Sequence, residues 1–114
     1  MRLLLIAGMA VAMSGSPVLA KSKGTRFWNL TRYTVTSLHL SPAGKNAWGP
    51  DLCKGDDDGT VDHDERLRID GIKTGVYDVK LSDRIGRTCV VPNISVKADA
   101  IFVVEEKQLT DCTK

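Results

Sequence analysis

The sequence has few of the features that mark helical, membrane-embedded or nucleic-acid-binding proteins. Aromatic residues make up 5% of its 114 positions, and its charges nearly cancel to a formal net charge of +2. Such a balance argues against a dedicated nucleic-acid or membrane-surface protein. Beyond residue 20, no segment keeps the apolar period of a helix, and no apolar run approaches the ~20 residues that span a bilayer. We therefore expect one all-β domain with no nucleic-acid partner and no stable membrane insertion.

The first twenty residues differ from the rest of the chain. Arg2 places a positive charge before an apolar run at residues 3–13, and Pro17 precedes a small-residue cleavage site that ends at Ala20. This order is typical of a Sec-type signal peptide. It predicts a signal helix at residues 1–20, cleavage after Ala20, and a single β-sandwich-like domain at residues 21–114. The exported product would be periplasmic or secreted, where a disulfide is permissible.

Alternation of apolar and polar residues predicts six or seven short strands. The clearest pair is a hairpin around residues 83–87, which have the composition of a tight turn. With Gly86 as the left-handed residue of the loop, the register sets Leu81 opposite Cys89, so that apolar residues meet on one face. Pro92 cannot donate to a ladder, so we expect an edge or a bulge there. The pattern as a whole predicts a small antiparallel β-sandwich or a small barrel.

Three cysteines allow at most one intramolecular disulfide. The hairpin register places Cys89 on the inner face of its strand. We expect the last strand, residues 101–104, to return antiparallel to residues 93–96, and extending that ladder brings Cys112 within reach of Cys89. This predicts a Cys89–Cys112 disulfide, with Cys53 left as a free thiol open to dimerisation or to bonding with a partner.

Several short segments also carry a resemblance to other proteins. They are LSPAG at residues 40–44, WGPD at 48–51, DERL at 64–67, GVYDVKL at 75–81 and GRTC at 86–89. In this combination they resemble a group of short, exported, functionally uncharacterised proteins of Gram-negative bacteria. The resemblance covers most of residues 21–114 and implies a periplasmic location and a compact β domain, with no known activity. More loosely, the hairpin looks like that of immunoglobulin-like and transthyretin-like modules, which is an analogy of fold alone.

An acidic loop at residues 54–65 is the sharpest local motif. Aligned with the twelve-residue EF-hand loop, it places Gly59 at position six and four carboxylates at or near ligand positions: Asp56, Asp58, Asp62 and Glu65. However, Lys54 takes position one, where the first carboxylate belongs, and its ammonium would repel a cation. We expect a solvated acidic turn, with a weak, shifted Ca²⁺ site as the alternative.

Other chemical motifs are sparse. His63 lacks partners at the spacing of zinc ligands, and no G-x-S-x-G motif occurs. Cys53, close in sequence to Lys54 and His63, is the one thiol worth testing as a nucleophile. We therefore predict no catalytic residue and no cofactor, apart from the weak Ca²⁺ alternative.

The aromatic residues admit two interpretations. Trp28, Tyr33 and Trp48 could form an aromatic binding face, but large apolar residues in so small a domain favour core positions, with Trp48 as a lid over the core. The expected function is a binding or structural module whose partner is unknown, such as another periplasmic or envelope protein. A weak Ca²⁺-binding protein and a small enzyme are the alternatives.

Overall fold

A computed structural model describes residues 23–114, and its architecture rests on seven strands. In chain order they are β1 (Thr25–Leu30), β2 (Val35–Pro42), β3 (Arg66–Ile69), β4 (Gly75–Asp83), β5 (Thr88–Val96), β6 (Ile101–Glu105) and β7 (Cys112–Thr113). Two 3₁₀ turns, η1 (Leu52–Gly55) and η2 (Glu106–Gln108), lie in the connections. The predicted signal helix and its cleavage site lie outside the described residues. Within residues 23–114, no helix has the length and apolarity needed to cross a membrane.

The strands form two sheets, one of three strands in the order β3-β1-β6 and one of four in the order β2-β4-β5-β7. Neighbouring strands are antiparallel, except that β1 and β6 run parallel. The inner faces bury apolar residues such as Phe27 and Phe102 from the first sheet and Leu38, Val79 and Leu81 from the second. The expected all-β sandwich of six or seven short strands is confirmed.

The central hairpin has the predicted register. Leu81 lies opposite Cys89, and both side chains are fully buried. Gly86 adopts φ of 90°, a left-handed conformation that glycine reaches without a Cβ penalty. The turn is closed because the Asp83 amide donates to the Arg87 carbonyl oxygen at 3.0 Å. Turn chemistry and apolar pattern therefore specify the same pairing.

The bulge expected at Pro92 is also present. Tyr77 pairs with Ile94, while Val79, two residues on, pairs with Val91, three residues back. The extra residue on β5 lets the strand continue past a position that cannot donate to the ladder. As a result, β5 stays paired with β4 on both sides of Pro92.

The strand β2 contains a bulge that its alternation did not reveal. The register shifts between Val35 and Ser37, so that Val35 and Leu38 are both fully buried although they are three residues apart. A strict alternation counted back from Leu40 and Leu38 predicts Val35 on the outer face, and the bulge makes that prediction wrong. One extra residue moves the side chains that precede it to the other face of the sheet.

The expected position of β6 is wrong. Instead of pairing antiparallel with residues 93–96, β6 crosses to the other sheet and pairs in parallel with β1. There the Phe102 ring packs against Phe27, with 5.6 Å between the ring centroids. A hairpin with β5 would have needed only a short loop. The free energy gained by burying the two rings against each other exceeds that advantage. The chain then returns through η2, and β7 pairs with β5, so the predicted Cys89–Cys112 disulfide forms by a different route.

Candidate functional site

The outer face of the β3-β1-β6 sheet carries three arginines, of which Arg66 and Arg68 are exposed and Arg26 is half-buried. Side chains alternate along both strands, so buried Phe27 and Leu67 face the core while their neighbours face solvent. The antiparallel register sets Arg26 opposite Arg68, and Trp28 opposite Arg66. We call the surface formed by Arg26, Trp28, Arg66 and Arg68 the arginine face.

Two contacts hold Trp28 in place on the arginine face. The guanidinium carbon of Arg66 lies 4.1 Å from the centroid of the Trp28 ring. On the edge of the ring, Trp28 Nε1 donates a hydrogen bond to Asp64 Oδ1 at 2.9 Å. A cation–π contact at an exposed site stabilises by about 0.5–1 kcal/mol. The Trp28 indole therefore positions Arg66, and the Arg66 guanidinium covers one face of the indole ring.

Gly24 brings the other two arginines together. Arg26 Nε donates to the Gly24 carbonyl oxygen at 3.2 Å. The Arg68 guanidinium lies over the same residue, because a Cβ placed on Gly24 would come within 2.7 Å of Arg68 Nε. Gly24 also has φ of +75°, which disfavours any side chain there. Both guanidinium groups therefore converge on one glycine.

The charges of the arginine face are only partly neutralised. Arg68 Nε lies 3.3 Å from Asp70 Oδ1, and both side chains are largely exposed, so this ion pair stabilises little. In the described part of the chain, Arg26 and Arg66 have no carboxylate oxygen within 4.0 Å. Arg26 and Arg68 are directly opposed like charges, an arrangement that destabilises a strand pair. The face thus keeps positive charge available for a ligand.

Buried hydrogen bonds fix the loop that leads into β3. Asn29 is fully buried, and its Nδ2 donates to the carbonyl oxygens of Val61 at 2.8 Å and Tyr33 at 3.0 Å. Val61 in turn exchanges two backbone hydrogen bonds of 2.9 Å with Val35. Because this loop is tied to both sheets, β3 enters its pairing with β1 in a defined register.

The first half of the acidic loop brings two of the predicted calcium ligands together. A hydrogen bond with Asp58 raises the pKa of Asp56, because it favours the protonated carboxyl. The pKa of Asp58 is lowered, mainly because the Thr60 amide donates to Asp58 Oδ1 at 3.0 Å. These solvent-accessible carboxylates bond each other and a backbone amide of the turn.

The second half of the loop uses its carboxylates to shape the backbone. Glu65 Oε1 accepts from the Asp62 amide at 2.7 Å, and Asp62 Oδ1 accepts from the Thr34 hydroxyl at 2.9 Å. His63 Nδ1 bonds the Thr31 carbonyl oxygen at 2.6 Å. Among residues 23–114, no group of three or more His, Cys, Asp or Glu side chains is arranged to hold a metal ion. Calcium binding by this loop stays a prediction.

Cys53 is unpaired, as expected, but it is not open to dimerisation. Its side chain is fully buried in the core, with an exposure of 0%. Burial, followed by the nearby Asp51 carboxylate, raises the pKa of the Cys53 thiol to about 12. The thiol is therefore protonated at neutral pH and shielded from partners, which also removes the basis for treating it as a nucleophile.

The residues Trp28, Tyr33 and Trp48 occupy neither the core nor one shared face. Trp28 lies on the outer face of the β3-β1-β6 sheet, whereas Trp48 packs 4.6 Å from Lys80 Nζ on the outside of the opposite sheet. Tyr33 lies in the β1–β2 loop, with its ring centroid 5.4 Å from the Arg87 guanidinium carbon. The expectation that Trp48 caps the core is wrong, because pairing an indole with a cation suits a half-exposed position.

Sequence reasoning did not identify the arginine face. The alternation of Arg66, Leu67, Arg68 and Ile69 predicts two outward arginines on β3, but it does not predict which strand lies beside them. Nothing local indicated that Arg26 would lie beside them, since that depends on pairing strands about forty residues apart.

The candidate site is therefore an exposed surface that the fold positions but does not enclose. In the described part of the chain no pocket is found. No family model matches this sequence, and neither the curated proteins nor the solved structures gave a significant match.

Proposed function

We propose that this chain is an exported binding module and that the arginine face is its surface for an anionic partner. The observation that carries the proposal is the cross-strand pair of Arg26 and Arg68 around Gly24. Like charges at directly opposite positions destabilise a strand pair by roughly 0.2–1 kcal/mol. An anionic group bound between the two guanidiniums would turn that repulsion into a source of affinity.

Outside the arginine face, the described cations lie mostly in loops and turns, and two of them are ion-paired with carboxylates. Arg87 bonds Asp83 and Glu106 at 2.8 Å each, and Lys107 lies 3.8 Å from Glu105. By contrast, Arg66 and Arg68 are exposed and Arg26 has no carboxylate beside it. Guanidinium groups bind carboxylates in a bidentate geometry, which gives direction as well as strength. The arginine face is the surface best suited to recognise an acidic partner.

The partner class follows from charge and from the predicted export. The whole chain carries a net charge of only +2, so it lacks the extended positive field of a nucleic-acid-binding protein. A signal peptide at residues 1–20 would deliver the domain outside the cytoplasm, where proteins of the envelope are its neighbours. We therefore propose an acidic surface or segment of another envelope protein as the partner.

Binding of poly-L-glutamate tests this function. The wild-type protein, purified after export, should bind the polymer in a salt-dependent manner by fluorescence anisotropy. Arg26→Gln/Arg68→Gln should weaken binding about tenfold or more, because two charge-assisted contacts are lost. The matched control Lys45→Gln/Arg84→Gln removes the same charge from exposed loops of the other sheet and should retain most of the binding.

Two results would overturn the proposal. One is an equal loss of binding in both double variants, which would mean that only net charge matters. The other is no binding by the wild type. Thermal unfolding of the same proteins separates binding from folding: Arg26→Gln/Arg68→Gln removes a repulsion and should melt no lower than the wild type.

A further inference from the structure

The strand β3 forms the edge of its sheet beside the arginine face. The Asn29 amide donates to the Glu65 carbonyl oxygen at 3.0 Å, so the odd-numbered residues of β3 are the ones that bond β1. The N–H and C=O groups of Arg66 and Arg68 consequently point away from β1. Across residues 23–114, no hydrogen bond to these four backbone groups is found. They form an edge without backbone partners that an added strand could pair with, and η1 packs beside the same strand.

The other sheet edges are less suited to a selective partner. The edge of β2 is closed, because the Leu38 amide donates to Asp51 Oδ1 at 3.0 Å and the Leu40 carbonyl oxygen accepts from Gly49 at 2.9 Å. The strand β7 has only two residues. The outward side chains of β6 are Ile101, Val103 and Glu105, which offer no cation to an acidic partner. In the described part of the chain, open backbone and outward cations coincide at β3.

We infer that the partner adds an extended acidic strand to the open edge of β3, with carboxylates at alternate positions facing Arg66 and Arg68. This inference rests on the proposed function of the arginine face. Alternate residues of a strand share one face, and directly opposite side chains lie about 4.5–5.5 Å apart. The two arginines are two residues apart on one face, so they match carboxylates with the same spacing. Backbone bonds hold the strand, and the arginines select its sequence.

Four short peptides with the same number of Glu and Thr residues test the spacing and the backbone pairing. The first alternates Glu and Thr, and the second places all Glu residues in one block. The third and fourth are the alternating peptide N-methylated at its Glu residues and at its Thr residues, respectively. The alternating peptide should bind the full exported protein about tenfold more tightly than the block peptide, measured by calorimetry.

N-methylation then tests strand pairing itself. In an added strand, the amides of successive residues point alternately toward β3 and toward solvent. One N-methylated peptide should therefore bind about tenfold more weakly, while the other should bind as tightly as the unmodified peptide. Which of the two binds more weakly reports the direction of the added strand. Equal effects of both forms, or equal binding of alternating and block peptides, overturn strand addition.

The remaining outcomes identify which proposal has failed. If poly-L-glutamate binds but peptide spacing has no effect, the arginine face stands as a binding surface and the strand inference is wrong. If neither the polymer nor the peptides bind, both proposals are wrong. A second copy of this chain could also occupy the edge of β3, and sedimentation without peptide tests for it. A dimer that Arg66→Gln/Arg68→Gln abolishes would make the second copy the partner and would overturn the inference.

Discussion

Arg87 joins three segments of the sandwich, and its replacement gives the sharpest test of how the fold is held together. Its Nε donates to Asp83 Oδ2 at 2.8 Å within the β4–β5 turn, and a terminal nitrogen donates to Glu106 Oε2 at 2.8 Å in η2. Its guanidinium also lies 5.4 Å from the ring centroid of Tyr33 in the β1–β2 loop. The side chain of Asp83 is 1% exposed and that of Arg87 is 16% exposed, so solvent screens their ion pair poorly.

Arg87→Met keeps most of the aliphatic length and removes the charge. Breaking a buried ion pair by removing one partner destabilises a protein by about 3–5 kcal/mol, because the other charge is left buried. Here Asp83 Oδ1 still accepts from the amide of residue 87 at 3.0 Å. We therefore expect a loss at the lower end of that range, about 3 kcal/mol.

Glu106→Gln is the milder perturbation of the same cluster. The Glu106 side chain is 27% exposed and accepts from Arg87 and from the Arg32 amide at 2.9 Å. Replacing the carboxylate with an amide weakens these bonds without removing them, and we expect a loss of about 1–2 kcal/mol. Asp83→Asn in the Arg87→Met background should restore about 1–2 kcal/mol, since it discharges the carboxylate that Arg87→Met leaves without its partner.

The Glu106 carboxylate also makes stability depend on pH. Hydrogen bonds from Arg87 lower its pKa in the folded state below the value of about 4.3 expected for the unfolded chain. A lowered folded-state pKa means that the stabilisation is complete above the unfolded pKa and is lost as the pH falls through the folded one. As the pH drops below about 4.3, the free energy of unfolding should therefore decrease. Glu106→Gln should make this decrease with pH less steep.

Urea unfolding followed by circular dichroism, at pH 7 and in steps down to acid, measures all of these quantities. The reasoning is refuted if Arg87→Met costs less than about 1 kcal/mol, since breaking a buried charge pair predicts more. It is also refuted if Glu106→Gln leaves the acid-induced decrease in the free energy of unfolding unchanged.

Four further predictions concern the disulfide, the free thiol, the acidic loop and the N-terminus. Replacing Cys89 and Cys112 with serine should cost about 3 kcal/mol in urea unfolding, since the bridge closes a separation of 23 residues; a cost below about 1 kcal/mol would contradict the chain-entropy account. Cys53 should react with a thiol reagent only as the protein unfolds, and fast reaction in native buffer would contradict its burial. Calorimetry should detect Ca²⁺ binding at millimolar strength or not at all, with a gain for Lys54→Asp, and tight wild-type binding would show the EF-hand comparison to be better than expected. N-terminal sequencing of exported protein should begin at Lys21, and an intact Met1 on a soluble cytoplasmic product would refute the signal peptide.

Local chemistry explains what could be predicted from the sequence. The hairpin register follows from Gly86 and from the spacing of Leu81 and Cys89, all within ten residues of one another. The inward positions of Leu67 and Ile69 follow from a period of two. These features depend on neighbours in the chain, so pattern and turn geometry determine them before any tertiary contact forms.

The disulfide shows how a correct pairing can rest on an incorrect path. Cys89 and Cys112 were predicted to meet by extending an antiparallel ladder from β5 to β6. In the structure β6 belongs to the other sheet, and β7 returns to place Cys112 opposite Cys89. The prediction needed Cys89 to face inward and the C-terminal segment to return to β5, and β7 meets the second condition although β6 does not.

The alternation of residues along each strand determined which side chains face the core. It could not determine which strands are neighbours, because backbone hydrogen bonds are equally available to any strand. That choice was made by long-range packing such as Phe27 on Phe102, which directs β6 to β1. The pairing of β1 with β3 likewise placed Arg26 beside Arg68. The sequence by itself thus determined an all-β sandwich with a central hairpin, and the tertiary structure alone decided where its positive charge is concentrated.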